Sequence, residues 1–311
     1  MSDRRLTLLL GARRHFAGQP LAPAFGRALA RARREAVAEG ELAQLQRYFR
    51  LRPAGAWPSA ALIEGLQRGA DEGRHSQWLR ADPVWLQADL STARLMAWGN
   101  LGLDEAEAEA LLRPLKPLFG DAGFPIEARG PEAWLVCLPR ESRLPVFPHP
   151  LDALGGDAFD QLGQGPEARR WRALLAEAQV LLHEHPVNAV RRRASLPPAN
   201  SLWFWGGGAW PDAVEGVAGS VVSADPELRA FAQAAGCRLA EAVDATRPGL
   251  LDLRPQRQWR VVEDICAVAR AALATGTLDA LVLDFADGHR VHVTHGQRWR
   301  FWRRAVADLR A

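Results

Sequence analysis

His183-Glu184-His185-Pro186-Val187-Asn188, followed by Pro198-Ala199-Asn200-Ser201-Leu202-Trp203-Phe204-Trp205-Gly206-Gly207-Gly208, is the stretch on which the reading of this chain turns. Upstream of it, Pro166 opens a helix. Trp171, Leu174, Leu175, Ala178, Leu181 and Leu182 share one face, and Pro186 stops it because proline has no amide hydrogen to continue the ladder. Arg191, Arg192 and Arg193 read as a loop. Leu202–Trp205 is wholly apolar, as a strand buried on both faces would be. The three glycines read as a turn that lets another backbone, or a phosphate, come close.

Working outward, 219–224 is a second short strand, followed by a helix from Pro226 that Gly236 ends. The pattern predicts a strand at 237–240 and a helix at 261–274. Leu281–Phe285 and Arg290–Thr294 flank Ala286-Asp287-Gly288 as a hairpin. Toward the N-terminus, Leu6–Leu10 is a buried strand. Leu21, Phe25, Leu29 and Val37 mark one helix face, 41–50 reads as another helix, and Pro58 opens a third. Between them lies a different texture: strands at 84–89 and 93–98, a helix from Asp104 with Leu111, Leu112, Leu115 and Leu118 on its apolar side, then strands at 124–128 and 133–138. This is a small α+β unit, closed by a proline-rich linker at 139–150.

The 311 residues, 48% of them hydrophobic, support a full core and exclude a disordered chain. The net charge is only +3, so bulk charge indicates no partner. Cys137, Cys237 and Cys266 are far apart and odd in number, which fits buried thiols in a reducing cytoplasm. No apolar run approaches membrane length, and a cytoplasmic protein is expected.

Asn188 and Asn200, set among prolines, can cap a helix, brace two loops or touch a ligand. Arg191 and Arg193 can hold a phosphate bidentately or form a solvated loop. Gly206, Gly207 and Gly208 can offer backbone N–H groups. Ala209-Trp210-Pro211 does not start a helix, so the dipole half of a phosphate cradle is missing. His183 and His185, two apart, make a poor metal clamp and read as partners of a helix C-terminus. Arg298-Trp299-Arg300-Phe301-Trp302-Arg303-Arg304 interleaves rings and cations, a possible nucleic-acid or membrane footprint. Trp299, Trp302, Val306 and Leu309 also fall on one helical stripe, and a terminal helix packed onto the body is the expectation.

The central segment resembles the cofactor-independent phosphoglycerate mutases, especially their archaeal-type branch. That family also runs from a helix through His-Pro-x-Asn and an Arg-containing linker to Ala-Asn, an apolar strand and a Gly-rich turn. Residues 79–138 resemble the family's inserted substrate domain, and 219–236 the strand and helix after the signature. The chain is also similar to a bacterial group of mutase-like, Rpf-type regulatory proteins. The resemblance implies an alkaline-phosphatase-like fold, two divalent metals and a serine nucleophile. It also implies an acidic metal motif directly after the first strand. Here that place holds Gly11-Ala12-Arg13-Arg14-His15, whose arginines repel divalent cations. No serine stands in the nucleophile's place, and the hairpin occupies the region of the C-terminal metal cluster.

The expected fold is therefore α/β. It has a reduced alkaline-phosphatase-like core with a mixed or mainly parallel sheet (1–75 and 151–311), an α+β insert (76–150) and a C-terminal β-hairpin. The expected function is that of a non-catalytic mutase-like regulatory or binding protein, with Asn188, Arg191, Arg193, Asn200 and Gly206–Gly208 lining any surviving cleft for a phosphorylated small molecule. No catalytic residue, metal or cofactor is expected. A protein partner is an alternative, and neither nucleic acid nor a membrane is expected. A metal-dependent mutase or phosphotransferase with relocated ligands is the enzyme alternative, and only that reading brings in manganese or zinc. A nucleic-acid-binding regulator is a third reading.

Overall fold

The computed structural model describes residues 4–69, 74, 76–88, 92–156, 165–217, 219–300 and 302–309. Its strands are β1 (Arg5–Leu10), β2 (Arg33–Ala36), β3 (Arg50–Arg52), β4 (Gln77–Ala88), β5 (Ala93–Trp98), β6 (Ile126–Ala128), β7 (Trp134–Leu138), β8 (Ser201–Gly208), β9 (Ala213–Glu215), β10 (Ser220–Val222), β11 (Arg238–Leu239), β12 (Gly249–Leu253), β13 (Ala280–Phe285) and β14 (His289–Val293). The chain divides into two compact units. Met1–Arg52 with Ala213–Ala311 forms one, and Pro53–Asp212 forms the other.

The first unit is α/β around a mostly parallel sheet in the order β11-β10-β12-β1-β13-β14-β2. β1 lies between β12 and β13, parallel to both. Its Leu6, Leu8, Leu9 and Leu10 are all buried, as the continuous apolar run requires of a strand covered on both faces. Leu6, Leu8, Leu10, Leu251, Leu281, Leu283 and Phe285 share a core with the helices Pro23–Arg31 and Trp259–Ala274. The second helix presents Trp259, Val262, Cys266, Ala269 and Leu273 at helical spacing. β13 and β14 form the expected hairpin, and Gly288 turns it at φ +76°. The helix expected to reach Val37 instead ends at Arg31. Residues 33–36 pair antiparallel with β14 as an edge strand, where ladder hydrogen bonds override helical periodicity.

The second unit is built on an antiparallel sheet, β5-β4-β7-β6, with β8 also paired to β4. Its core joins Leu79, Leu111, Leu115, Phe119, Trp134, Trp171, Leu182, Leu202 and Phe204. Asp104 caps its helix through a reciprocal box with Glu107 (Glu107 N to Asp104 Oδ1 2.8 Å). The single helix expected after Asp104 is two, Glu105–Leu112 and Leu115–Asp121, with Pro114 at the break.

The expected insert boundaries, 76 and 150, differ from the observed division at 53 and 212. The cause is β8. It is buried as predicted but runs antiparallel to β4, with Ser201 opposite Val84 and Trp203 opposite Asp82. That pairing carries the whole signature segment into the second unit.

Candidate functional site

In the second unit, the signature residues serve as internal braces. Asn188 is fully buried. Its Nδ2 donates to the carbonyls of Leu182 (2.7 Å) and Ala199 (2.9 Å), and its Oδ1 accepts from Ala199 N (2.9 Å). Asn200 accepts from Leu86 N and donates to Leu86 O, both at 2.8 Å, and so mimics a strand residue at the start of β8. Arg191 lies in a helix, Pro186–Arg193, rather than the expected loop. Its buried guanidinium donates to Pro197 O, Leu101 O, Gly102 O and Glu107 Oε2. Glu132 receives the N–H groups of Leu101, Gly102 and Leu103, so this loop is held from both sides. Arg193 is exposed on the last turn of the helix. His185 caps the start of that same helix, accepting from Val187 N, instead of serving the C-terminus of the preceding one.

The three glycines continue β8 and make no turn after Trp205. Their small size answers to neighbours within the unit. A Cβ on Gly206 (φ +64°) would stand 2.8 Å from Ser59 Cβ, one on Gly207 2.6 Å from a Leu144 methyl, and one on Gly208 3.1 Å from Pro58 Cβ. The ligand set expected from sequence thus has its buried polar atoms engaged inside the fold. Sequence reading missed Asp82, a buried carboxylate on β4 that receives Arg80, the indole N–H groups of Trp98 (2.9 Å) and Trp205 (2.8 Å), and Trp134 N. With its acceptors filled, it acts as an anchor for three aromatic residues.

In the first unit, the C-terminal ends of the parallel strands are where an α/β sheet gathers its functional groups. Two acids stand there that the sequence reading did not single out. Asp252 on β12 and Asp284 on β13 both lie level with Leu9 of β1. Across two strand spacings they are about 10 Å apart.

Arg254 closes the first acid. It donates from Nε to Asp252 Oδ1 and from Nη2 to Asp252 Oδ2 (both 2.8 Å), from Nη2 to Asp225 Oδ2 (2.5 Å), and from Nη1 to Glu41 Oε2 (3.1 Å). Ser223 Oγ adds a bond to Asp252 Oδ2 (2.7 Å) and receives Asp225 N. Burial opposes ionisation of Asp252, but the bonds from Arg254 and its charge outweigh it, holding the carboxyl below its usual range. Asp225 goes the other way. Burial, helped by the charges of Glu227 and Asp252, raises its pKa against the pull of Arg254.

Arg47 closes the second acid bidentately (Nε–Oδ2 3.0 Å, Nη2–Oδ1 2.7 Å), joined by Tyr48 Oη (2.5 Å) and Arg290. Burial, then the charge of Asp284 and the hydrogen bond to it, pushes the Tyr48 phenol well above its ordinary value. After β1, Arg13 bonds Asp287 (3.0 Å) and His289, and burial with the charges of Arg257 and Arg14 lowers the pKa of His15.

The two-metal expectation does not fit this donor set. The two buried acids at the strand ends already hold guanidinium groups as their cations. Among the described residues, no group of three or more His, Cys, Asp or Glu side chains is placed to hold a metal ion.

No protein-family model matches the chain. It is similar to the 2,3-bisphosphoglycerate-independent phosphoglycerate mutase of Methanothrix thermoacetophila, 33% identical over 140 residues. The match covers 43% of this chain and 33% of that protein. A Geobacter sulfurreducens protein described as a "Probable 2,3-bisphosphoglycerate-independent phosphoglycerate mutase" is 25% identical over 200 residues, covering 62% of this chain and 50% of that one. The homologues are cofactor-independent phosphoglycerate mutases, at modest identity. The chain spans half or less of the length of these curated relatives. Among solved structures, the cofactor-independent phosphoglycerate mutase from Thermoplasma acidophilum aligns over 94% of this chain and 90% of its own, at 15% identity and a TM-score of 0.42. No helix among the described residues is long and apolar enough to cross a membrane.

Proposed function

We propose that this chain is a mutase-like protein without mutase chemistry, a regulatory or binding descendant of the phosphotransfer enzymes it resembles. The observation that supports this reading is the pairing of Asp252 with Arg254, whose guanidinium also takes Asp225 and Glu41. Two-metal phosphoryl transfer needs carboxylates whose lone pairs are open to a cation. Here a cation is supplied covalently, by a side chain two residues away, in a geometry that favours the bidentate pair. The arginines that follow β1 add positive charge where an acidic motif was expected.

The test is direct. The purified chain is titrated with manganese and with zinc in a calorimeter. It is then assayed for conversion of 3-phosphoglycerate to 2-phosphoglycerate with each metal present. Neither stoichiometric metal binding nor turnover is expected. Metal-dependent turnover would overturn the proposal and establish the alternative, a mutase or phosphotransferase with relocated ligands.

A further inference from the structure

The C-terminal segment departs from the amphipathic helix expected of it. Thr294 and Gln297 cap a short 3-10 turn, His295–Trp299, and no helix is described after it. Val306 and Leu309 pack on the core as the stripe predicted, but Trp299 and Trp302 face out, 66% and 68% exposed. The segment is tied down despite this. Val306 N donates to Gly26 O, Arg300 donates to Arg31 O, and Arg31 donates to Arg298 O. Gly26 is required here, since a Cβ would fall 2.3 Å from the carbonyl oxygen of Val306.

Beside this segment is a recess of about 270 Å³. Arg27 and Arg31 reach it from one helix, Arg270 from another and Arg298 from the 3-10 turn, with His295 at its edge. Among the described residues, its lining includes no aspartate or glutamate. In a chain of net charge only +3, four guanidinium groups from three separate elements around one concavity are a local excess, unlike the acid-paired arginines of the sheet. The Arg298 guanidinium lies 4.9 Å from the ring centre of Trp299, so cation and exposed indole adjoin.

We propose that this recess binds a nucleoside phosphate. Guanidinium forks match the oxygens of a phosphate, and an exposed indole beside them offers a surface on which a base stacks. The nucleotide can be free or part of a single-stranded nucleic acid. The inference is independent of whether the sheet-edge acids retain any chemistry.

The experiment uses the full chain and a short fluorescent single strand, as DNA and as RNA, with binding read by anisotropy from about 50 to 200 mM salt. Adenosine monophosphate and inorganic phosphate serve as competitors. Saturable binding that weakens with salt is expected. Arg27→Ala with Arg270→Ala should flatten the salt slope by about 1.4, the share of two phosphate contacts on a single strand. Trp299→Ala should weaken binding roughly fivefold or more through lost stacking. Melting temperatures close to the parent's would show that both variants are folded. Binding of the monophosphate, with no gain for the strand, would assign the site to a free nucleotide. Three outcomes overturn the proposal: no saturable binding of strand or nucleotide at low salt, binding unchanged in the arginine variant, or association with phosphatidylserine vesicles but not with nucleotides.

Discussion

Asp252 and Asp284 stand level with each other on either side of Leu9, and each is gripped by its own arginine. Two acids at one height of a parallel sheet look like the beginnings of a cation site. The bidentate contacts from Arg254 and Arg47 make them parts of the fold instead.

Removing one partner of such a pair leaves a buried charge uncompensated. Arg254→Met should lower the unfolding free energy by about 3–5 kcal/mol at neutral pH. Without the guanidinium, the folded-state pKa of Asp252 rises above its unfolded value, and that of Asp225, already raised, rises further. The native state then binds the extra protons, and the penalty shrinks as pH falls. Urea unfolding at pH 7 and pH 5 should show the variant recovering stability relative to the parent. A penalty that is equal at both pH values would contradict this account.

In the parent, Asp252 carries the opposite sign. Its folded pKa lies below the ordinary 3.8, so its contribution is complete above that value. It is lost as pH falls below 3.8 and through the depressed value, because the unfolded chain takes up the proton first. Asp225, with a raised pKa, is strained when ionised, and that strain is relieved as pH drops toward 3.8. A pH series of melting temperatures on the parent and on Asp252→Asn should show a steeper acid loss in the parent.

The signature residues should behave as braces. Asn188→Ala strands the carbonyl and the N–H of Ala199, at about 1–3 kcal/mol for each group left buried and unpaired, while Leu182 O keeps the N–H of His185. Arg191→Lys keeps the charge but loses the fork that spans Pro197, Leu101 and Glu107. Both variants should melt lower than the parent by calorimetry. A variant with parental stability but altered binding of 3-phosphoglycerate would restore these residues to a ligand site.

Gly206→Ala meets two obstacles, a left-handed φ of +64° and the Ser59 Cβ at 2.8 Å. Gly18→Ala meets only the first, with nothing near its φ of +77°. The Gly206 variant should be the more destabilised, with backbone strain of order 1–3 kcal/mol common to both. Equal denaturation midpoints would show that packing at Gly206 is loose.

Much of this was legible in the chain itself. Leu6–Leu10 announced a central strand by its unbroken apolar run, and Ala286-Asp287-Gly288 announced the hairpin. Pairing partners were less visible. Leu202–Trp205 reads as buried, but the sequence does not say whether a parallel or an antiparallel neighbour covers it, and the unit boundary depended on that. Asp252 and Asp284 sit inside apolar runs, Leu250-Leu251-Asp252-Leu253 and Leu283-Asp284-Phe285. A lone acid in such a run signals a paired buried charge. Its partner can be two residues away, as Arg254 is, or far along the chain, as Arg47 is. Asn188 and Arg191 could be read equally well as braces or as ligands, because a side chain that can hold a phosphate can also hold carbonyls. Only the positions of Ala199 and Leu101 decide.

β3 and β9 pair antiparallel, with Arg52 opposite Ala213. The chain therefore leaves the first unit and re-enters it at two points a single strand spacing apart, about 5 Å. To that unit, the 160 intervening residues amount to a long hairpin loop. A tight Asn-Gly turn in their place would ask for no displacement of the sheet. The 160 residues between β3 and β9 are thus a cassette, which could be shortened or exchanged without rebuilding the strand pair from which it springs.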